Sequence, residues 1–280
     1  MSQNSIPPQP APIAFLHERA IQLKRNMLIQ ARGKGQGYLG QGLAMAELFS
    51  ALYFHEMRYD PQNPDDADRD RFLVSTGHYA IALWAVFAEI GLVARDLLPT
   101  YGMDGGKIDM TTFDAIPGVE MTGGSLGQGL GIAVGIAVAH RLDSRASRVF
   151  VEISDGEMQE GSIWEAAMAG SSFGLENLVV LLDCNGIQAD GSIVLNIEPV
   201  AEKWRAFGWD TVEIDGNNMT QIINALAWAR TQNQKPKALV LRTRPGKGLP
   251  TLEAREKSHF IRVDPSEWEF LGKELEQNNA

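Results

Sequence analysis

Apolar runs that alternate with helical patterns constrain the fold of this chain more than any other feature. Runs that are apolar almost throughout are typical of strands buried on both faces, and helices between such strands are typical of parallel sheets. The pattern predicts a doubly wound, mostly parallel α/β sheet with helices on both faces. The predicted strands are 72–75, 148–154, 177–183, 209–215 and 238–243, and the helices among them are 80–92, 125–141, 162–173, 198–207 and 219–233.

The domain organisation follows from where this pattern starts. Helical periodicity begins near Phe15, and no internal repeat or change of composition interrupts the pattern after it. We therefore expect a single domain over residues 15–280. The preceding residues 1–14, MSQNSIPPQPAPIA, are rich in proline and lack the basic start and apolar core of a signal peptide, so we expect a flexible tail.

Charge and cysteine content exclude several classes of protein. The net charge of −10 argues against a nucleic-acid-binding surface, which needs clustered Lys and Arg. A single cysteine, Cys184, excludes an intrachain disulfide and is compatible with a reducing cytosol. No apolar stretch reaches the roughly 18 residues of a membrane span. These features predict a cytoplasmic protein.

Polar residues follow two of the predicted strands, where ligands bind in sheets of this kind. Asp155 comes directly after the run 148–154, and Asn185 follows the run 177–183. If the two strands are neighbours, a carboxylate and an amide oxygen meet at one edge, which suits Mg²⁺ held together with phosphate oxygens. Gly156 would let the backbone approach a phosphate closely. The alternative is that Asp155 caps a helix and Asn185 shapes a turn.

Longer motifs carry a resemblance to a known family. DG-E-x-QEG-x-x-WEA at 155–166, followed by L-D-x-N-G-I-Q-x-DG at 182–191, resembles the thiamine-diphosphate and magnesium motif of transketolases. The resemblance covers roughly residues 15–275 and is to the amino-terminal, diphosphate-binding part of a transketolase, especially in split, two-gene forms. It implies the thiamine-diphosphate-binding fold. Further similar segments, in transketolase order, are STGHYAIAL (75–83), TGGSLGQGLGIAVGIA (122–137), EIDGNN (213–218) and PGKGLPTLE (245–253) with Ser258-His259.

The resemblance implies ligands for a metal ion and for thiamine diphosphate. Asp155, Asn185 and the main-chain carbonyl of Ile187 would hold Mg²⁺, for which Ca²⁺ or Mn²⁺ could substitute. The implied cofactor-binding residues are Gly156, Glu157, His78 and His259 near the diphosphate, Asn185 through the metal, and Gly124 and Leu126 at the aminopyrimidine ring.

The implied catalytic residues are His78, His259 and Glu160. Glu160 matches a family glutamate at the dimer interface that connects two active sites. Glycines at 127, 131 and 135 recur every four residues, which predicts close helix packing.

Two departures from the family pattern concern the substrate. Transketolases carry a histidine in the first glycine-rich loop, where this chain has Tyr38 in QGYLGQG. A second substrate-side histidine normally precedes the PGVE segment, where Thr111 is the nearest match. Both histidines ordinarily contact sugar hydroxyls. Tyr38 and Thr111 are therefore the substrate-side candidates, and we expect a sugar or ketol substrate of non-standard shape.

The resemblance also implies a partner. In the family, a glutamate that activates the cofactor lies in a pyrimidine-binding domain, for which 280 residues leave no space. We therefore expect a separate carboxy-terminal subunit, an α2β2 assembly paired through the glycine-rich segment 124–139, and transfer of a two-carbon ketol unit from a ketose or ketose phosphate to an aldehyde. The alternatives are a 1-deoxyxylulose-5-phosphate synthase-like subunit, a 2-oxo acid dehydrogenase E1 α-like subunit, or a non-catalytic scaffold subunit.

Overall fold

The computed structural model describes residues 11–189 and 191–278. Residues 1–10 of the expected tail lie outside the described residues, while Ile13 and Ala14 already belong to the first helix. None of the described helices is long and apolar enough to cross a membrane. The helices are α1 Ile13–Lys34, α2 Leu39–Ala44, α3 Ala46–Ala51, α4 Ala80–Ile90, α5 Gly129–Leu142, α6 Gly161–Ser172, α7 Val200–Ala206, α8 Met219–Trp228, α9 Pro250–Glu253 and α10 Trp268–Gln277.

Five strands form the central sheet, and all of them are parallel. Their order is β2-β3-β4-β8-β7. The expected strands and their parallel arrangement are thus confirmed, with ends that differ by one residue or so. The strands of the chain are β1 Gln36–Gly37, β2 Arg71–Val74, β3 Val149–Ser154, β4 Leu178–Cys184, β5 Ile187–Gln188, β6 Gly191–Ser192, β7 Asp210–Asp215, β8 Lys237–Arg242 and β9 Ile261–Arg262.

A hydrophobic core lies on each face of this sheet. Phe150 and Val179 belong to one core, and their chain neighbours Val151 and Val180 belong to the other. Successive side chains of a strand point to opposite faces, so both faces must be apolar for both to be buried. This explains why the strands are nearly continuous in apolar residues, and it confirms the doubly wound α/β class.

Three features of the fold differ from the sequence expectation. Helix α5 begins at Gly129 and not at 125, because Gly127 has a positive φ of 84°, outside the helical region. Helix α8 ends at Trp228 and not near 233, because the segment 230–237 is polar and offers no apolar side chain to bury. Strand β1 pairs with β9, with Gln36 opposite Arg262, a pairing between distant parts of the chain that no local pattern indicates. The pairing places the glycine-rich loop after β1 beside the segment that carries His259.

Candidate functional site

The carboxyl ends of β3 and β4 lie side by side. Ser154, the last residue of β3, is in register with Asp183 of β4. Beyond these residues, the Gly186 N–H donates a hydrogen bond of 2.6 Å to Oδ2 of Asp155. The expected meeting of the two strand ends is therefore confirmed, and the region around Asp155 and Asn185 forms one site at the edge where parallel sheets bind ligands.

Asp155 is an almost completely buried carboxylate, with 3% of its surface exposed. Burial raises its pKa to about 7, and the nearby charge of Asp183 adds to the effect. The N–H groups of Gly156 and Gly186 donate to its two oxygens and oppose the rise. A buried carboxylate that carries such a raised pKa is stabilised in its charged form by a cation.

Asp183 fixes the orientation of the Asn185 amide. The carboxylate of Asp183 is fully buried and accepts hydrogen bonds from the Tyr79 hydroxyl at 2.5 Å, the Asn185 amide at 2.8 Å and the Thr243 hydroxyl. Asn185 Nδ2 also donates to the Tyr79 hydroxyl at 3.0 Å. With its nitrogen held in this way, Asn185 presents Oδ1 on the other side, where the Ile187 N–H donates to it at 3.0 Å.

This donor set suits a hard divalent cation. One carboxylate, one amide oxygen and the main-chain carbonyl of Ile187 are oxygen ligands, and Mg²⁺ takes few protein carboxylates when phosphates complete its shell. The described residues contain no group of three or more His, Cys, Asp or Glu that could hold a metal ion. The predicted ligand set contains a single carboxylate, so a search for such groups would not find it. Its role as a metal site stays a prediction.

The side chain of Glu157 is turned into the protein. Its carboxylate is fully buried, and burial raises its pKa. It accepts hydrogen bonds from the hydroxyls of Ser75 and Thr76 and from the Gly127 N–H, the last at 2.7 Å. Glu157 thus connects the turn after β2 to the glycine-rich segment. Its expected place near a diphosphate stays a prediction. Gly156 beside it is half-buried, and a Cβ added there would make ordinary contacts with Gln188 at 3.6 Å and Ile193 at 3.9 Å.

Two loops meet closely next to this edge. A Cβ atom on Gly77 would lie only 2.6 Å from the Gly124 nitrogen, so no other residue fits at position 77. Thr112 joins the two loops, because its N–H donates to the Gly77 carbonyl and its carbonyl accepts from the Gly123 N–H. Gly124 is exposed and Leu126 is half-buried, so both remain accessible to a ligand. Thr111 is half-buried beside this junction.

Four aromatic rings form a cluster, which we call the ring cluster: Tyr38, His78, His259 and Phe260. The Tyr38 ring centroid lies 4.6 Å from that of His78, 5.6 Å from that of His259 and 5.0 Å from that of Phe260. The two imidazole centroids are 5.0 Å apart. The two expected cofactor histidines and the substrate-side Tyr38 are therefore brought together by the β1–β9 pairing.

The His78 imidazole is neutral in this environment. The pKa of His78 is lowered to about 3, mainly because most of the ring is buried away from water. The neighbouring His259 lowers it further. A neutral imidazole keeps one N–H donor and one acceptor nitrogen at physiological pH.

Comparison with known proteins decides the family. The thiamine diphosphate binding domain of transketolase matches residues 16–275. The chain belongs to the transketolase family. The expected relationship is thereby confirmed, and the chain carries the thiamine-diphosphate-binding domain of a family of transferases.

Relatives of similar length support this assignment. The chain is 46% identical to a transketolase family protein of Sinorhizobium fredii, over 90% of this chain and 92% of the relative. It is 37% identical to the 6-deoxy-6-sulfo-D-fructose transketolase subunit of a Clostridium species, over 91% of this chain and 94% of the relative. The chain thus corresponds in extent to subunits of split transketolases.

A solved structure shows the same fold. Transketolase from Leishmania mexicana superposes with a TM-score of 0.86 at 29% identity, over 96% of this chain. The chain spans 42% of the length of that transketolase. It therefore corresponds to the diphosphate-binding part of a longer family member.

In this transketolase-family chain, Glu160 is exposed. It packs against Gly127, where an added Cβ would lie 2.8 Å from the Glu160 Cβ. Helix α5 follows Gly127, and its Gly131 and Gly135 are exposed, with no described residue outside the local helix backbone within 4 Å of a Cβ added at either position. Of the three glycines expected to pack closely, Gly127 does so, whereas Gly131 and Gly135 have no such contact within the described chain and leave a face of small residues exposed on α5.

Sequence reasoning missed three residues of the transketolase-family site. Asp183 and Tyr79 orient Asn185, and Phe260 completes the ring cluster. A signal for Asp183 was present, because an acidic residue inside the apolar run NLVVLLD must find donors when it is buried. No local signal marked Phe260, whose contact with Tyr38 depends on the β1–β9 pairing.

Proposed function

We propose that this chain is the amino-terminal subunit of a two-component transketolase that depends on thiamine diphosphate and Mg²⁺. With a separate pyrimidine-domain subunit it transfers a two-carbon ketol unit from a ketose or ketose phosphate to an aldehyde. The proposal rests on the adjacent carboxyl ends of β3 and β4. There a buried Asp155 carboxylate lies beside an Asn185 amide of fixed orientation. Its setting in a thiamine diphosphate binding domain supports the assignment.

Each residue of the site has a proposed task. Asp155, Asn185 Oδ1 and the Ile187 carbonyl hold the divalent ion, and Gly156 with Glu157 lies next to the diphosphate. Gly124 and Leu126 line the space for the aminopyrimidine ring. Thiamine diphosphate, when bound, supplies the electron sink for breaking and forming the carbon–carbon bond.

The two histidines act at the diphosphate and at the reacting oxygen atoms. A neutral His78 offers one donor and one acceptor, so it can bind a phosphate oxygen without the cost of a buried charge. The ring of His259 lies 5.0 Å from that of His78, so the two histidines would bind the diphosphate side by side. The substrate-side residues Tyr38 and Thr111 carry hydroxyl groups where the family has imidazoles, which supports a ketose of non-standard shape.

The assembly we propose is α2β2. A relative of matching length is named as a transketolase subunit, which supports a separate partner. The exposed glycines of α5 support pairing of two copies, because glycine lets helix backbones approach closely and this face has no partner among the described residues. Glu160, exposed at the start of α6, would then lie at the interface. We also propose a cytoplasmic location, supported by the single cysteine, which is buried and free.

Titration calorimetry with thiamine diphosphate and Mg²⁺ tests the metal site in the complete assembly. The Asp155→Ala variant should weaken cofactor binding by about 100-fold or more, as expected for loss of a metal ligand when second-shell changes alone cost about 10–100-fold. Glu165→Ala is the matched control, since Glu165 is an exposed acid of the same segment. Normal binding by Asp155→Ala would contradict the metal assignment.

The assembly itself is tested by activity. The purified chain should transfer no ketol groups alone and should become active when its partner subunit is added. Turnover by the chain alone at ordinary rates, on the order of 1–1000 per second, would contradict the two-component proposal. Absence of cofactor binding by the intact assembly would instead support the scaffold alternative.

A further inference from the structure

One acidic residue interrupts the apolar pattern within the central sheet. Glu152 is the fourth residue of β3, and its side chain is fully buried. It is in register with Val74 of β2 and Leu181 of β4, both of which are apolar and buried. A carboxyl group at such a position costs stability, because it is moved from water into an apolar environment. The sheet needs only the backbone of this residue, so the side chain requires another explanation.

The Glu152 carboxyl is only partly satisfied by the protein. Its Oε2 accepts a hydrogen bond of 3.3 Å from the Thr76 N–H, whereas its Oε1 has no partner within residues 11–189 and 191–278. Burial raises the pKa of Glu152 well above its ordinary value, and the nearby carboxyls of Glu157 and Asp183 add to the effect. An apolar side chain of similar volume would avoid these costs. The hydrogen bond to Thr76 is what the carboxyl contributes in return.

This hydrogen bond holds the chain where it leaves the sheet. Strand β2 ends at Val74, and the Ser75 N–H still donates to the main-chain oxygen of Glu152 at 3.0 Å. The next N–H, that of the buried Thr76, has no main-chain acceptor in the part of the chain that the structure describes, and a buried N–H needs an acceptor. The Glu152 side chain supplies it. Glu157 accepts from the Thr76 hydroxyl at 2.9 Å, so two buried carboxyls hold both donors of this residue.

The turn anchored in this way carries His78. Residues Gly77–Tyr79 form one turn of 3-10 helix, closed by a hydrogen bond of 2.8 Å from the Tyr79 N–H to the Thr76 carbonyl. Within the described ranges, the His78 imidazole has no hydrogen bond and contacts the other rings of the ring cluster. Its position therefore depends on the backbone of this turn and on the packing of the rings.

We propose that Glu152 is a positioning residue for His78. By fixing the N–H of Thr76 it sets the path of the turn, and the turn sets where the imidazole lies in the ring cluster. The consequence for cofactor binding rests on the proposed function, since it takes His78 to bind the diphosphate. The position of the imidazole itself does not depend on that function.

Two replacements of Glu152 separate positioning from a purely structural role. Glu152→Leu removes the acceptor and fills its place with apolar volume, so the chain should unfold at an equal or higher urea concentration than the native chain. Its His78 ring signals should nevertheless shift in nuclear magnetic resonance spectra, because the contact with the Tyr38 ring changes. Glu152→Gln keeps an oxygen acceptor on a side chain of the same length, so its His78 signals should stay close to the native positions.

Phe150→Leu is the matched control. Phe150 lies two residues earlier in β3, so it is on the same face of the sheet as Glu152, and it is fully buried. A smaller side chain in this core should lower the urea midpoint and leave the His78 signals in place. Stability and imidazole position should thus change independently in the two leucine variants.

Three outcomes would overturn the positioning role. The first is a set of unchanged His78 signals in Glu152→Leu, and the second is a shift in Glu152→Gln as large as that in Glu152→Leu. Either would show that the oxygen acceptor does not set the imidazole. The third is a Glu152→Leu chain that fails to fold or unfolds at lower urea than Phe150→Leu, which would show that the role is structural.

Calorimetry of the complete assembly tests the consequence for the cofactor. The Kd for thiamine diphosphate should rise about tenfold or more in Glu152→Leu and by less than about twofold in Glu152→Gln, as for loss and retention of a group that orients a ligand. An unchanged Kd in Glu152→Leu despite shifted His78 signals would overturn the link to the cofactor. If the native assembly binds no thiamine diphosphate while the signals shift as expected, the proposed function fails and the positioning role stands.

Discussion

The ring of Tyr38 lies 4.6 Å from that of His78, centroid to centroid, and the two planes are inclined by 35°. The residue proposed to lie on the substrate side is therefore in contact with a residue proposed to bind the cofactor. The phenol hydroxyl of Tyr38 has no hydrogen-bond partner among residues 11–189 and 191–278, so it is available to a ligand.

Replacing this hydroxyl tests its role in substrate binding. Tyr38→Phe keeps the ring on His78 and removes one donor, so KM for the sugar should rise about 2- to 10-fold, as for loss of one hydrogen bond. The Kd for thiamine diphosphate should change by less than about twofold. Steady-state kinetics and calorimetry on the same preparation separate the two effects, and an unchanged KM for every active sugar would contradict the assignment.

Asp183→Asn tests the orientation of Asn185. The native carboxylate accepts from three donors, whereas an asparagine amide would bring its own N–H groups against one of them. A buried polar group left without a partner costs about 1–3 kcal/mol, so the free energy of unfolding should fall by this amount. Mg²⁺-dependent cofactor binding should weaken about 10- to 100-fold, because Asn185 loses its fixed amide.

Thr243→Val is the comparison for that variant. It removes one donor to Asp183 and leaves the bonds from Tyr79 and Asn185 in place. If Thr243→Val and Asp183→Asn weakened the cofactor equally, orientation of Asn185 would not be the cause. Urea unfolding monitored by circular dichroism gives the stability, and calorimetry gives the affinity.

The lowered pKa of His78 makes the free energy of unfolding depend on pH. The imidazole titrates near 6.5 in an unfolded chain and at about 3 in the folded one, so between these values the unfolded state binds more protons. The contribution of His78 to the free energy of unfolding is therefore fully present above about pH 6.5 and is lost as the pH falls below this value. Between pH 7.5 and 5.0 this residue should account for at most about 2 kcal/mol of that loss.

Unfolding at these two pH values checks the prediction. His78→Gln should lose less stability on acidification than the native chain. In nuclear magnetic resonance spectra, the ring signals of native His78 should not titrate between pH 5.5 and 8. A midpoint above pH 6 would show that the imidazole is not enclosed as described.

The exposed glycines of α5 predict a variant that folds but does not pair. A Cβ added at Gly135 would have no described residue outside the local helix backbone within 4 Å, and replacing a helical glycine stabilises a helix by up to about 1 kcal/mol. Gly135→Leu should thus remain folded and should reduce self-association in analytical ultracentrifugation. Gly272→Leu on α10 is the control, since its site is equally open. Equal association of both variants would contradict pairing through α5.

The central sheet could be predicted from sequence because burial on both faces leaves a continuous apolar signal in each strand. Asp155 and Asn185 could be located for a related reason, since each follows such a run directly. The environment of Glu157 could not be predicted in the same way. The family resemblance implied only a place near the diphosphate, and no local pattern indicated that its carboxylate is fully buried against Ser75, Thr76 and Gly127, residues far away in sequence.

The pairing of β1 with β9 has a consequence for how this enzyme can be altered. Tyr38 comes from the first fifth of the chain and Phe260 from the last, yet their ring centroids lie 5.0 Å apart because Gln36 is paired with Arg262. A substitution in either segment changes the surroundings of the other. We therefore expect strong epistasis between them, so that directed evolution toward a new sugar should succeed when both segments are varied together and stall when only one is.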